Sequence, residues 1–202
     1  MRDRLVRATV ECLIEFGYER TTTLRIVARA GVTRGALLHH FESKRHIVVS
    51  AMHCLLADHA KRIQSVAIQV RAGKVGLDDF IDYLWNDYSG EFFFAWLENI
   101  TESRHDEELR EQLMPLVRQY HLALDDIWRE FFKKSHLSHD QVDTSLNQTL
   151  CLLRGMGLQT VLRRDDLYYH GLLSSWKATL RRLVKIKSED RSPEDTKRRR
   201  AR

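Results

Sequence analysis

An all-α fold of about nine helices is predicted by three observations. Apolar residues recur at three- and four-residue steps along most of the 202-residue chain. Helix breakers are scarce, with only two prolines and nine glycines. Glycines, threonines and a serine stand where the periodic stretches need to start and stop.

Leu5, Val6, Thr9, Cys12, Leu13 and Phe16 form one apolar stripe over residues 2–16. Gly17 is suited to end that helix in a left-handed cap. The polar linker 18–23 carries Thr22 and Thr23, good N-cap candidates for a short helix over 24–30. Gly31-Val32 makes a turn, and Thr33 caps a helix over 34–40. Ser43 caps a long helix over 44–70 whose apolar face carries Ile47, Val48, Ala51, Met52, Leu55 and Leu56. After the loop 72–76, helices are expected at 77–88, 91–103, 106–134, 140–163 and 166–187. Pro115 should kink or break the 106–134 segment near its first third. The tail 188–202 is highly charged, ends in a basic run, and is expected to be disordered.

The charge distribution is uneven. Between residues 20 and 45 five arginines and Lys44 face a single acid, Glu42. Between 77 and 111 eleven acidic residues face only Arg104 and Arg110. An anion-binding segment is thus followed by one that repels phosphates. Three cysteines without metal-like spacing suit a reducing cytoplasm. No secretory h-region follows Met1, and no run of about 18 apolar residues is present to cross a bilayer. His39, His40, His46, His53 and His59 are spaced mostly six or seven apart, unlike helical zinc pairs. With no nucleophile–base pair and no glycine-rich phosphate loop, neither an enzyme, a metal site nor a cofactor is expected.

Residues 22–41 supply, in order, the parts of a helix-turn-helix. Ala28 is small enough for two helices to approach, Gly31 permits the turn, and Val32 and Leu37 plug it from beneath. Thr33, Arg34, Gly35, Leu38 and His39 are left for the outer face. Gly35 costs helix propensity, which close approach to a sugar-phosphate backbone would justify. Thr23, Arg25, Thr33, His40 and Lys44 are placed to bind phosphates, with Thr22 at the helix start.

The stretch TTLRIVARAGVTRGALLHHFESKRHIVVSAM, from Thr22 to Met52, resembles the TetR family of repressors. The resemblance implies a dimer of helical subunits, each with three N-terminal DNA-binding helices and a variable C-terminal bundle that binds an inducer. It places Thr33, Arg34 and Gly35 at DNA-contact positions, His39 and His40 near the backbone, and Lys44 at a phosphate-contacting lysine. Leu38 stands where the family usually has Tyr. The units expected are a DNA-binding domain over 1–46, a ligand-binding and dimerisation domain over 47–187, and the basic tail over 188–202. The loop 72–76 is a further candidate boundary.

An effector cavity in the bundle is expected to involve Phe93, Trp96, Asn99, His121, Trp128 and Gln159, an aromatic set with a few polar groups. Glu98 and Ser103 are further polar candidates. Leu150, Leu153, Gly157, Leu173, Trp176 and Leu180, on the last two helices, are expected to form a two-fold dimer interface. The expected function is a repressor of double-stranded, near-palindromic operators, released by an unidentified small molecule. The alternative is a DNA-binding regulator without a ligand.

Overall fold

The computed structural model describes residues 1–185. Nine α-helices and no strands are found among them: α1 (Arg2–Arg20), α2 (Thr23–Ala30), α3 (Arg34–His40), α4 (Lys44–Arg71), α5 (Leu77–Tyr88), α6 (Glu91–Glu102), α7 (Glu107–Phe132), α8 (His139–Gln159) and α9 (Asp166–Lys185). The expected all-α class is therefore correct. The expectations for residues beyond 185, including the basic tail, lie outside the described residues.

Local chemistry sets most boundaries. The Thr22, Thr33 and Ser43 hydroxyls accept the backbone N–H groups of Arg25, Ala36 and His46 at 3.3, 3.2 and 3.1 Å. Such caps each contribute about 1 kcal/mol. Gly31 ends α2 in the left-handed region at φ 59°, and Arg4 of α1 donates to its carbonyl at 2.6 Å. Asp106 and Ser138 cap α7 and α8 through Leu109 and Gln141 N–H at 3.0 and 3.3 Å.

Three boundaries differ from expectation. Helix α8 ends at Gln159 rather than at 163. Gly17 does not end α1. It kinks it, with φ 75° and ψ 177°, and one more turn runs on to Arg20. Pro115 does not break α7, which continues from Glu107 to Phe132. Pro115 and Glu111 are both exposed, so the carbonyl that loses its helical partner is met by water.

The apolar residues fall into three clusters. One lies inside the helix-turn-helix unit, where Leu5, Cys12, Ile26, Ala30, Leu37 and Phe41 meet Ile47 of α4. The second joins the two halves: Leu13 of α1 packs with Val48, Ala51 and Met52 of α4 and with Leu109 and Leu113 of α7. The third fills the bundle around Phe80, Leu84, Trp128, Leu146 and Leu153. Helix α4 runs through all three, so a shift of α4 is felt in both halves. No described helix is long and apolar enough to cross a membrane.

Candidate nucleic-acid interface and bundle cavity

Helix α3 is anchored by Leu37, which is fully buried. That leaves Arg34, Gly35, Leu38 and His39 on the exposed side, with His40 half-buried. Arg34 makes no ion pair or side-chain hydrogen bond among the described residues. A Cβ on Gly35 would meet nothing nearer than Thr33 Oγ1 at 3.9 Å, so internal packing sets no demand for glycine there. Leu38 is 53% exposed, and the His39 and His40 rings meet edge-on at 5.1 Å. Although Thr22 and Thr33 spend their oxygens as caps, each hydroxyl keeps a proton to donate outward. Thr23, half-buried, opens α2.

One sequence expectation, that for Ala28, needs correction here, and two phosphate candidates have partners within the chain. The Lys44 side chain turns toward the end of α1. Its ammonium lies over the Tyr18 ring at 4.2 Å and donates to the Tyr18 and Glu19 carbonyls at 2.7 and 3.3 Å. The last carbonyls of α1 carry the negative end of the helix dipole, and a cation settles there. Burial pushes the Lys44 pKa down from the usual lysine value. Arg25 is likewise engaged, with its guanidinium 4.4 Å from the Phe16 ring centroid and donating to Arg20 O at 3.2 Å. Ala28 is exposed and mediates no helix approach; Ala30 is the buried alanine of α2.

In the bundle, a small cavity of about 10 Å³ lies among Tyr88, Phe92, Phe93, Trp96, Val117, Tyr120, His121 and Arg154. It joins three of the expected residues, Phe93, Trp96 and His121. The other three do not line it. Trp128 is fully buried core whose indole N–H donates to Ser145 Oγ at 2.9 Å. Asn99 is buried and donates to Ala95 O at 2.7 Å. Gln159 is half-buried at the last turn of α8. The cavity is at the lower limit of the space one water requires. A larger hollow of about 550 Å³ is an open groove at the surface between α1, α4 and α7, touched by Arg2, Arg7, His53 and Gln112.

The polar chemistry beside the small cavity is unusual. Arg154 donates to His121 Nε2 at 2.8 Å, and its guanidinium lies 5.3 and 5.7 Å from the Trp96 and Tyr88 ring centroids. Its Nε–H is buried with no acceptor. Burial, aided by the Arg154 charge, holds the His121 pKa below the usual histidine value. His59, 1% exposed, stacks on Phe92 with centroids 3.3 Å apart. Its Nδ1 is 3.4 Å from Asp87 Oδ2, and both atoms lack a well-formed hydrogen bond. The Tyr83 hydroxyl is also buried without a partner, and burial with the Asp87 charge pushes its pKa up to about 12. Sequence reasoning missed Arg154. It is the only charged residue between Asp143 and Arg163, which was the available signal.

The residues expected at a dimer interface face inward instead. Leu150, Leu153, Leu173 and Leu180 are all 4% exposed or less. The Trp176 indole N–H donates to Thr149 Oγ1 at 3.0 Å. A Cβ on Gly157 would collide with the Tyr88 carbonyl oxygen, so this glycine lets α8 approach α5 within one subunit. Exposed apolar residues gather at the tip of the α8–α9 hairpin, at the end of α8, in the loop 160–165 and at the start of α9. Leu158, Val161, Leu162 and Leu167 are 54, 64, 88 and 85% exposed, and Gly155 and Gly171 have nothing within 4 Å of an added Cβ.

Residues 5–51 match the family model of bacterial regulatory proteins of the tetR family. An HTH-type transcriptional regulator of Mycobacterium tuberculosis is 28% identical over 126 residues, which are 62% of this chain and 65% of that protein. The chain thus spans just under two thirds of that relative's length. The HTH-type transcriptional regulator CymR of Pseudomonas putida is 25% identical over 167 residues, 80% of each chain. Among solved structures, FadR of Bacillus subtilis in complex with stearoyl-CoA matches with a TM-score of 0.60 at 18% identity, covering 92% of this chain and 98% of that one. A regulator from Saccharomonospora viridis in complex with choline matches with a TM-score of 0.67 at 14% identity, covering 89% and 95%. At these identities the structural likeness shows the fold. Residues 5–51 thus match the model of bacterial regulatory proteins of the tetR family, the relatives matched in sequence are HTH-type transcriptional regulators, and the described helices share the fold of both solved structures.

Proposed function

We propose that the protein is a sequence-specific DNA-binding transcriptional repressor that acts as a homodimer and leaves a near-palindromic operator when a small molecule binds in its bundle. The observation that carries this reading is the α3 face, where Arg34 stands unpaired beside a glycine that internal packing does not require. Arginine is the commonest partner of guanine in the major groove, and a missing side chain lets a phosphate backbone come close. Thr33 and His39 complete the face. Arg25 and Lys44 hold α1 in place behind it.

The second copy is assigned to the α8–α9 hairpin, with the exposed apolar residues at its tip, Leu158, Leu162 and Leu167, in the contact. Two such hairpins make a four-helix interface with a two-fold axis. In that dimer the two α3 helices would stand about 34–36 Å apart, one DNA turn. Ligand binding preferentially to another spacing weakens DNA binding, and the coupling is reciprocal.

Two fold neighbours carry small molecules, which supports a ligand-responsive bundle; stearoyl-CoA and choline differ too much in charge to name this chain's ligand. One observation favours the alternative of a regulator without a ligand: the bundle cavity is only about 10 Å³. The reading is tested by selecting bound duplexes from a random pool at near-physiological salt. An inverted repeat is the expected recovery. Salt-sensitive binding with no recovered motif would reject sequence-specific recognition.

A further inference from the structure

The structure assigns a ligand class to the bundle cavity: we propose that it takes a ring-sized monocarboxylate, its carboxylate on Arg154 and its apolar body in the place of the Phe92 ring. This rests on the reading of the bundle as an effector site and adds the chemistry of the effector.

Arg154 is half-buried and is matched by no carboxylate among the described residues. His121 accepts from it at Nε2, which requires a neutral imidazole, and the other side-chain neighbour of Arg154, the Tyr88 hydroxyl, is neutral too. The guanidinium charge is therefore uncompensated inside the bundle, with Nε–H still to be given away. Native proteins leave few such donors empty, and an exception calls for a missing partner. A planar carboxylate is the natural acceptor for a guanidinium edge.

Other classes fit less well. A cation would meet Arg154 directly, and the Trp96 and Tyr88 faces that could attract one already lie under the guanidinium. The nearby acid, Asp87, approaches the His59 imidazole at 3.4 Å and does not line the cavity. A neutral body would leave the arginine unmatched.

The void of about 10 Å³ holds no ligand as it stands, so a side chain must yield. Phe92 is the best placed to do so. It is half-buried, whereas neighbouring Phe93 is 1% exposed and part of the core. Swinging Phe92 outward uncovers the His59 ring on which it stacks and frees a slot the size of one six-membered ring. The slot is walled by Trp96, Val117 and Tyr120.

The test is calorimetric titration of the full chain with three isosteres: benzoate, benzamide and benzylamine. Benzoate should bind at least tenfold more tightly than the other two. Arg154→Gln should erase that preference, and Arg154→Lys, which keeps the charge but loses the Nε–H, should weaken benzoate several-fold. Phe92→Ala leaves Arg154 intact and opens the slot, so it should strengthen benzoate binding several-fold; it keeps the proposal testable should the arginine variants fail to fold. Benzylammonium or benzamide binding as tightly as benzoate, and more tightly in Phe92→Ala, would overturn the ligand class while leaving the cavity as an effector site. Benzoate affinity unchanged in folded Arg154→Gln would remove Arg154 as the seat. No binding of any probe to wild type or Phe92→Ala would overturn both the ligand class and the cavity.

Discussion

The Glu98 carboxylate accepts the backbone N–H of Tyr18 at 2.7 Å, at the one break in α1. Gly17 makes room for it: a Cβ there would collide with the same carboxylate. Glu98 lies on α6, the helix that also carries Phe92, Phe93 and Trp96 at the cavity. The other side of Tyr18 is held by Lys44 of α4. A movement of α6 therefore reaches the helix-turn-helix unit at Tyr18, as well as through Trp96 and Ile100, which pack against the cluster around Leu13. Glu98→Ala should leave operator affinity within about threefold, because an exposed N–H can turn to water and a hydrogen bond is worth about 1 kcal/mol. The same change should reduce the ratio of operator affinities without and with a bound effector, normally about 5–150-fold, toward unity. Anisotropy titrations with and without benzoate measure it; an unchanged ratio would remove Glu98 from the coupling route.

Lys44 offers a prediction against its family role. Two charge-assisted bonds to α1 carbonyls, partly open to water, make Lys44→Ala destabilising by about 1–3 kcal/mol. Urea melts would show this as a lower midpoint. The dependence of DNA affinity on salt should keep its slope within error, because the ammonium is not spent on a phosphate. A slope reduced by about one would restore the phosphate contact.

The exposed hairpin tip predicts the oligomeric state. Leu162→Glu with Leu167→Glu replaces two leucines that are 88 and 85% exposed, so folding should be little affected. Sedimentation should show dimers for the wild type and monomers for the double variant, which would then lose affinity for a two-half-site operator. Leu153→Ala, by contrast, empties a fully buried site and should cost about 2–5 kcal/mol of stability. A double variant that remains dimeric would move the interface elsewhere.

His121 predicts a pH dependence of stability. Burial and the Arg154 charge lower its pKa in the folded chain, while the unfolded chain keeps the ordinary value of about 6.5. The unfolded state therefore binds more protons in the window between the depressed value and about 6.5. Stability should fall as pH drops through that window and recover as pH rises above it. His121→Gln should flatten this part of the profile in urea melts. Parallel profiles for variant and wild type would contradict it.

The helices were legible because their signals are local. Thr33 stands one residue before α3, and Gly31 must supply a left-handed residue within two positions of it. The partners of Lys44 were not legible, because the Tyr18 carbonyl lies 26 residues earlier and no pattern marks it. The inward course of α8 was not legible because its leucines are alike in type: Leu150 and Leu153 turn to the core, Leu158 turns outward, and Leu162 lies in the loop beyond the helix. Phe93, Trp96 and His121 were found at the cavity by residue type. Trp128 was drawn in by the same reasoning, although its indole is satisfied by Ser145.

The central claim is that the α3 face reads DNA through Arg34. Its most direct test is anisotropy titration of wild type and Arg34→Ala on the selected operator and on a scrambled duplex. The account predicts a loss of about 1–3 kcal/mol on the operator and little change on the scrambled sequence. An equal loss on both duplexes, or none on either, would contradict it.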